Sequence, residues 1–327
     1  MSKFLGRTLN FGIGKDNPRG TLGAPAYWVP LKAYSINRKV DKAVDEAPVG
    51  SIEYSGNISV LRKYVSGDVS VQLGVNSLGL LFYNLFGDVA TAADTPEATV
   101  QTHTFTVAQT VTHQALSLFK KDGAFQVGYP LGMINTFGLS IDIGGDEHLS
   151  ADINFLAKDA DASTSPPNYA SETVFVPRMA KVNIATDLTG LDAAADLSIK
   201  VVTLTVDKKA QGDYSLASGA SMEDNNNLNF EISGTLELNL TDTTYRDYVL
   251  DNSYKALRLE IEDTGTTIGA VTSPRIRIDL AKVYFFDFEE VVDFQELGRQ
   301  TIGFIARYSP SDSKMVTAEI INEVVSY

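Results

Sequence analysis

The stretch Val65-Ser66-Gly67-Asp68-Val69-Ser70-Val71-Gln72-Leu73 alternates apolar and polar side chains over most of its length. Its valines and leucine fall on one side, and its polar residues, Asp68 among them, fall on the other. Such alternation predicts a β-strand with one buried face and one face in water. Residues 134–143 and 148–158 alternate in the same way, and Gly144-Gly145-Asp146 between them predicts a hairpin turn. The sequence therefore predicts a mainly β protein.

The same pattern occurs a second time, in Ile232-Ser233-Gly234-Thr235-Leu236-Glu237-Leu238-Asn239-Leu240. Shortly after each copy, at residues 76–87 and 242–251, apolar side chains recur at the spacing of a short helix. The order of strand, strand, short helix, strand and long hairpin is thus the same in both halves. It predicts two copies of one β-rich domain, the first at 1–172 with an N-terminal arm and the second at 173–327.

Composition and charge exclude several classes of protein. The 327 residues include 27 Lys and Arg against 41 Asp and Glu, which gives a net charge of −14, and they include no cysteine. Disulfide scaffolds, thiol nucleophiles and cysteine metal sites are therefore excluded. The acidic balance argues against tight nucleic-acid binding, which needs basic surface. The sequence contains neither a long apolar run nor a signal-like segment, so we expect no membrane partner and folding in a cytoplasm.

Motifs that carry chemistry are weak. Gly12-Ile13-Gly14-Lys15 lacks the spacing and the hydroxyl residue of a phosphate-binding loop, and indicates a flexible N-terminal arm instead. None of the histidines, His103, His113 and His148, has the neighbours of a catalytic triad. We therefore expect no catalytic, cofactor or metal site and no enzymatic activity.

Several segments, in this order, are typical of one family. They are residues 27–31, 79–83, 103–107 and 129–134 in the first half, and residues 242–247, 275–280, 300–304 and 311–315 in the second. With these segments the sequence resembles the tail tube proteins of long-tailed, non-contractile bacteriophages, and the resemblance covers most of the chain. No single segment is a catalytic signature, so the specificity lies in their number and order.

The resemblance implies a β-sandwich with one flanking helix, whose inner sheet joins those of its neighbours into a continuous barrel. Stacked rings then form a virion tail tube, assembled in the host cytoplasm, through which DNA travels during ejection without specific binding. The implied partners are further copies of the chain, the tape measure protein, and the tail terminator and tail tip proteins. Such tubes usually have six domains per ring, so two domains per chain imply a trimeric, pseudo-hexameric ring.

Two groups of charged residues are candidates for function in such a tube. Carboxylates on the wet face of the strands would repel DNA phosphates if that face lined the lumen; the alternative is a solvated outer face. These residues are Asp68, Asp142, Asp152, Glu237 and Glu289. The basic pairs Arg38-Lys39 and Lys208-Lys209 follow the first strand of each copy and are candidates for ring-to-ring contacts; the alternative is a solvated loop.

Two other functions agree with the sequence. The inner tube of a contractile tail or injection system shares the fold that the resemblance implies. A tandem β-sandwich of the carbohydrate-binding or adhesin class would present an exposed aromatic platform, and Trp28 is the one tryptophan in the chain.

Overall fold

The computed structural model describes residues 5–47, 50–53, 56–94, 97, 99–123, 125–159, 161–163, 165–292 and 297–327. These residues form mainly strands, which confirms the predicted fold class. The strands are β1 (Asn10–Lys15), β2 (Tyr27–Val29), β3 (Leu31–Tyr34), β4 (Asn37–Val44), β5 (Ile58–Gln72), β6 (Gly87–Ala93), β7 (Gln101–Val107), β8 (Leu116–Lys121), β9 (Gln126–Asp142), β10 (Ser150–Ala157), β11 (Asp161–Ala162), β12 (Ala180–Ala185), β13 (Ile199–Asp207), β14 (Gln211–Asp213), β15 (Asp224–Asn226), β16 (Glu231–Asn239), β17 (Tyr254–Glu262), β18 (Arg275–Val291), β19 (Arg299–Ala306) and β20 (Val316–Asn322).

Two short α-helices occur where the sequence predicts them, α1 (Ser77–Phe86) and α2 (Thr244–Leu250), together with 3-10 turns at Gly6–Thr8, Pro177–Met179 and Leu188–Ala193. Helix α1 ends at Gly87, whose φ of 88° is the left-handed conformation that favours glycine. No side chain of Asn76 or Ser77 caps its first turn. The carboxylate of Glu172 accepts hydrogen bonds from both of their backbone N–H groups, at 2.9 and 2.8 Å.

Eight antiparallel strand positions form one continuous layer, which we call the shared sheet. Its order is β3 with β4, then β5, β10, β9, β13, β16, β19 and β18. The centre of this layer is the pairing of β9 with β13, in which residues 136–142 lie opposite 201–207. Strands from both halves of the sequence therefore belong to a single sheet.

The outer strands lie on the apolar side of the shared sheet. In the first half β2, β1, β8 and residues 126–132 of β9 pair in that order. In the second half the order is β12, β17, residues 275–280 of β18, β20, β7 and β6, so β7 and β20 join the halves a second time. The prediction of a flexible arm over residues 12–15 is wrong, because β1 is a buried strand paired on both sides.

One hydrophobic core lies between these layers and extends through both halves of the chain. Its centre is Phe82 of α1, whose ring meets those of Phe86, Phe105 and Phe137 edge-on at 5.4, 5.7 and 5.8 Å. Each such side chain contributes about 1.5–3 kcal/mol by burial. The polar side of the shared sheet is thereby left facing outward from this chain.

The two halves share an order of pairing. In the first, β5, β10 and β9 are consecutive neighbours and α1 follows β5; in the second, β16, β19 and β18 are neighbours and α2 follows β16. The predicted duplication and its boundary at 172/173 stay predictions, which this correspondence favours. Within the described ranges, no helix has both the length and the apolar character needed to cross a membrane.

Candidate functional site

The polar side of the shared sheet collects all five of the predicted acidic residues. In antiparallel pairs, directly opposite residues point to the same side of the sheet, so the register settles which residues share this side. We call the following set the polar face: Asp68, Ser70, Thr136, Ser140, Asp142, Asp152, Asn154, Thr203, Thr205, Asp207, Glu231, Thr235, Glu237, Asp287, Glu289 and Thr301.

At one end of the polar face, Asp68 and Asp152 lie on adjacent strands. Asp152 is opposite Ser70, and Asp68 is opposite Asn154. The amide of Asn154 donates to the Asp68 carboxylate at 2.7 Å. Both carboxylates are exposed. The two residues occupy diagonal positions, about 7–8 Å apart, on the same side of the sheet.

A second row of the polar face crosses five strands and contains the other predicted acids. Asp142 is opposite Val201, which is opposite Glu237; Thr301 then lies between Glu237 and Glu289. Arg299 forms an ion pair with Glu237 at 2.9 Å. The row thus keeps Asp142 and Glu289 as exposed carboxylates, and the arginine offsets one charge of the three.

Sequence reasoning missed three more acids of the polar face. Asp207 and Glu231 lie opposite each other on β13 and β16, and Asp287 lies opposite Gly303 on β19. Asp207 continues the alternation of β13 and was detectable from it. Asp287 was not, because a bulge at this point of β18 interrupts the alternation.

The four predicted basic residues separate into two groups. Arg38 and Lys39 lie on β4 and are exposed, with Arg38 held by Asp159 at 2.6 Å. Lys209 is partly exposed and pairs with Glu231 at 3.2 Å. The prediction of a surface role for Lys208 is wrong, since its side chain is fully buried and its amino group donates to the backbone carbonyl of Asn84. Burial holds the pKa of Lys208 well below its usual value, and repulsion from Arg19 adds to the effect.

The side chains of His103, His113 and Trp28 are buried in the interior of the protein. His103 is buried, with its ring between Thr91 at 2.9 Å and the carbonyl of Val324 at 2.9 Å. His113 is also buried, and desolvation lowers its pKa to about 4. Trp28 is only 5% exposed, against Phe119, so it offers no platform for a sugar. In the part of the chain that the structure describes, no group of three or more acidic or histidine side chains could hold a metal ion.

Comparison with known proteins gives one family. The model of the phage tail tube protein family matches residues 10–306, which is nearly the whole chain. No curated protein matches the sequence. The match extends from β1 to the end of β19, and so includes every strand of the shared sheet. The chain belongs to the phage tail tube protein family.

Proposed function

We propose that this chain is the structural subunit of a tail tube, polymerising as stacked trimeric, pseudo-hexameric rings around a conduit for DNA ejection. One observation carries the proposal beyond family membership. The shared sheet passes without interruption from the first half of the chain to the second, and each of its outermost strands has one edge that pairs with no other strand among the described residues. A sheet of this kind extends by pairing with copies of itself.

The dimensions of such a ring suit duplex DNA. Three chains with eight strand positions each give about 24 strands, and a spacing of ~4.8 Å with a typical tilt gives a backbone diameter near 50 Å. Side chains reduce the opening to roughly 35–40 Å. A duplex about 20 Å wide passes with a layer of water around it.

In this arrangement the polar face lines the lumen, since the apolar side of the shared sheet is already covered by α1 and the outer strands. Exposed carboxylates at Asp68, Asp142, Asp152 and Glu289 present negative charge to the conduit. Like charge repels phosphate and disfavours adhesion of the passing DNA. The net charge of −14 agrees with a wall that does not retain its cargo.

Contacts between rings are assigned to the projecting hairpin of β4 and β5. The described residues of this hairpin include several exposed apolar side chains, namely Val40, Val44, Ile58, Val60 and Leu61. Apolar groups clustered on one projection favour burial against another molecule. The tape measure protein inside the tube, and the tail terminator and tail tip proteins at its ends, complete the set of partners.

Electron microscopy of the purified chain tests the proposal. Hollow tubes or stacked rings are expected as protein concentration rises, with assembly weakened by molar salt if charge contributes to stacking. Stable monomers at all concentrations that bind sugars would contradict the proposal.

The lumen assignment has a separate test. In tubes of the Asp68→Lys/Asp152→Lys variant, the wall changes sign locally, and we expect short duplex DNA to sediment with the tubes at low salt. The control variant, Asp213→Lys/Asp251→Lys, makes the same change of charge at exposed sites outside the shared sheet. Equal DNA retention by both variants would show that the polar face lies elsewhere than in the lumen.

A further inference from the structure

The two ends of the shared sheet are open in the described chain. Residues 285–291 of β18 pair with β19 on one side and with no described strand on the other. At the opposite end, β3 and β4 pair with β5 alone among the described strands. Each end therefore presents a row of backbone N–H and C=O groups that a further strand can satisfy.

The internal junction of β9 and β13 shows how such ends fit together. β9 and β18 are equivalent strands of the repeat, because β9 pairs with β10 and β18 pairs with β19, the next strand in each half. Phe137 lies opposite Ile153, and Phe288 lies opposite Ile302. Because Ile153 and Ile302 are equivalent positions, Phe288 takes the place of Phe137.

The same reasoning applies to the other end. Val206 of β13 lies opposite Ile232, and Arg38 of β4 lies opposite Val65. Val65 and Ile232 are the first residues of the two copies of the repeated stretch and so are equivalent positions. Arg38 therefore takes the place of Val206. Inside the chain, Val206 pairs with Phe137. Arg38 is thereby matched with Phe288.

We infer that β18 of one chain pairs antiparallel with the start of β4, and with the two residues before it, in a second copy in the ring, in the register of the β9–β13 junction. The inference rests on the proposed function, which supplies the ring, and it names the residues of the contact. Lys39 lies opposite Asp287 of the next chain, Asn37 opposite Glu289, and Ile36 opposite Glu290.

Charge on the two edges is complementary in this register. Asp287, Glu289 and Glu290 are exposed and form no ion pair within the described chain, and neither does Lys39. Lys39 faces Asp287 directly and Glu289 diagonally, within reach of a long side chain. The internal junction has uncharged Thr136 and Gly138 at the equivalent places. The charges therefore serve the contact between chains, and two acidic edges repel each other, which blocks head-to-head pairing.

Backbone hydrogen bonding agrees with the same register. Lys208 N–H donates to the Asn135 carbonyl at 2.8 Å, so the next pair, Thr136 and Asp207, is a non-hydrogen-bonded pair. Ser35 N–H donates to Asp68 at 2.8 Å, toward β5, which turns the backbone groups of its neighbour Ile36 to the open edge. Lys39 and Asp287 then form a non-hydrogen-bonded pair, with Cα atoms about 4.5 Å apart.

That spacing lies within the range of a disulfide, and the chain has no cysteine of its own. The test is the double variant Lys39→Cys/Asp287→Cys, assembled, oxidised and run on a non-reducing gel. We expect covalent species that end at the closed ring of three chains and disappear on reduction. The control is Lys39→Cys/Glu290→Cys, whose second cysteine points to the opposite side of the sheet.

The outcomes separate this inference from the function beneath it. If the Lys39→Cys/Asp287→Cys variant forms tubes without a cross-link, or if the control cross-links equally, the proposed register is wrong while the tube function stands. Absence of tubes from the unmodified chain overturns both. A charge exchange gives a second readout: because Asp287→Lys places like charges opposite each other, it should raise the concentration needed for assembly about tenfold, and Lys39→Asp/Asp287→Lys should restore it. Failure of the exchange to restore assembly also counts against the pairing.

Discussion

Tyr327, in the second half of the chain, packs against helix α1 of the first half. Its side chain is 9% exposed, and its hydroxyl donates to the carbonyl of Asn76 at 2.7 Å while accepting from the amide of Asn322 at 2.6 Å. The ring meets His103 edge-on at 4.6 Å and lies against Gly79, where a Cβ would have no room. Replacing it therefore removes packing and hydrogen bonds at one point between the halves.

We expect Tyr327→Ala to lower the free energy of unfolding by about 3–5 kcal/mol, the range for deletion of a buried aromatic side chain. Tyr327→Phe removes only the hydroxyl and should cost about 1–2 kcal/mol. Since the entropy of unfolding for a chain of 327 residues is about 0.7 kcal/mol/K, the midpoints should fall by roughly 4–7 °C and 1–3 °C. Thermal unfolding of the unassembled fraction, followed by circular dichroism, measures both.

The pH dependence of the same site gives an independent check. Burial raises the pKa of Tyr327 above its usual value in the folded chain. Above about pH 10 the unfolded chain ionises this tyrosine and the folded chain does not. Its contribution to stability is therefore complete below pH 10 and lost as pH rises further, and Tyr327→Phe should lose less stability there than the parent. A Tyr327→Ala midpoint within 1 °C of the parent would refute the reasoning.

Two other changes test single interactions. Glu172→Gln keeps the shape of the side chain that caps α1 but removes its charge, so the free energy of unfolding should fall by about 1 kcal/mol. Urea denaturation measures this fall against the equally conservative exposed variant Glu53→Gln. No difference between the two variants would argue against the cap. Lys208→Met removes a buried amine of lowered pKa, which binds fewer protons in the folded state than in the unfolded state. As pH rises toward the ordinary lysine pKa of about 10.4, the parent should therefore gain stability more steeply than Lys208→Met. Parallel pH profiles would contradict the assignment.

Elements with strict local patterns were predictable from the sequence. The alternation in β5 and β16 identified both strands and the side on which Asp68 and Glu237 lie. The apolar spacing of α1, with Gly87 after it, gave the helix and its end. These features depend on neighbours within a few residues, which is why periodicity reveals them.

Other features depend on contacts between distant residues. Strand β1 was missed because Gly12 and Gly14 are poor strand formers, yet only glycine leaves room there for Trp28 and for the carbonyl of Ala24. The cap from Glu172 comes from about a hundred residues away, and no local motif contains it. The adjacent basic residues Lys208 and Lys209 suggested a surface pair. Lys208 directly follows Asp207 at the end of β13, however, and its side chain points to the buried side of the sheet, which sequence adjacency does not reveal.

The account as a whole depends on the shared sheet closing into a ring with its polar face inward. Cryo-electron microscopy of assembled tubes measures this directly. We predict three chains per ring, a continuous inner sheet in which β18 of each chain adjoins the start of β4 of the next, and Asp68, Asp152 and Glu289 facing the lumen. Tubes with six chains per ring, or with the polar face on the outer surface, would contradict it.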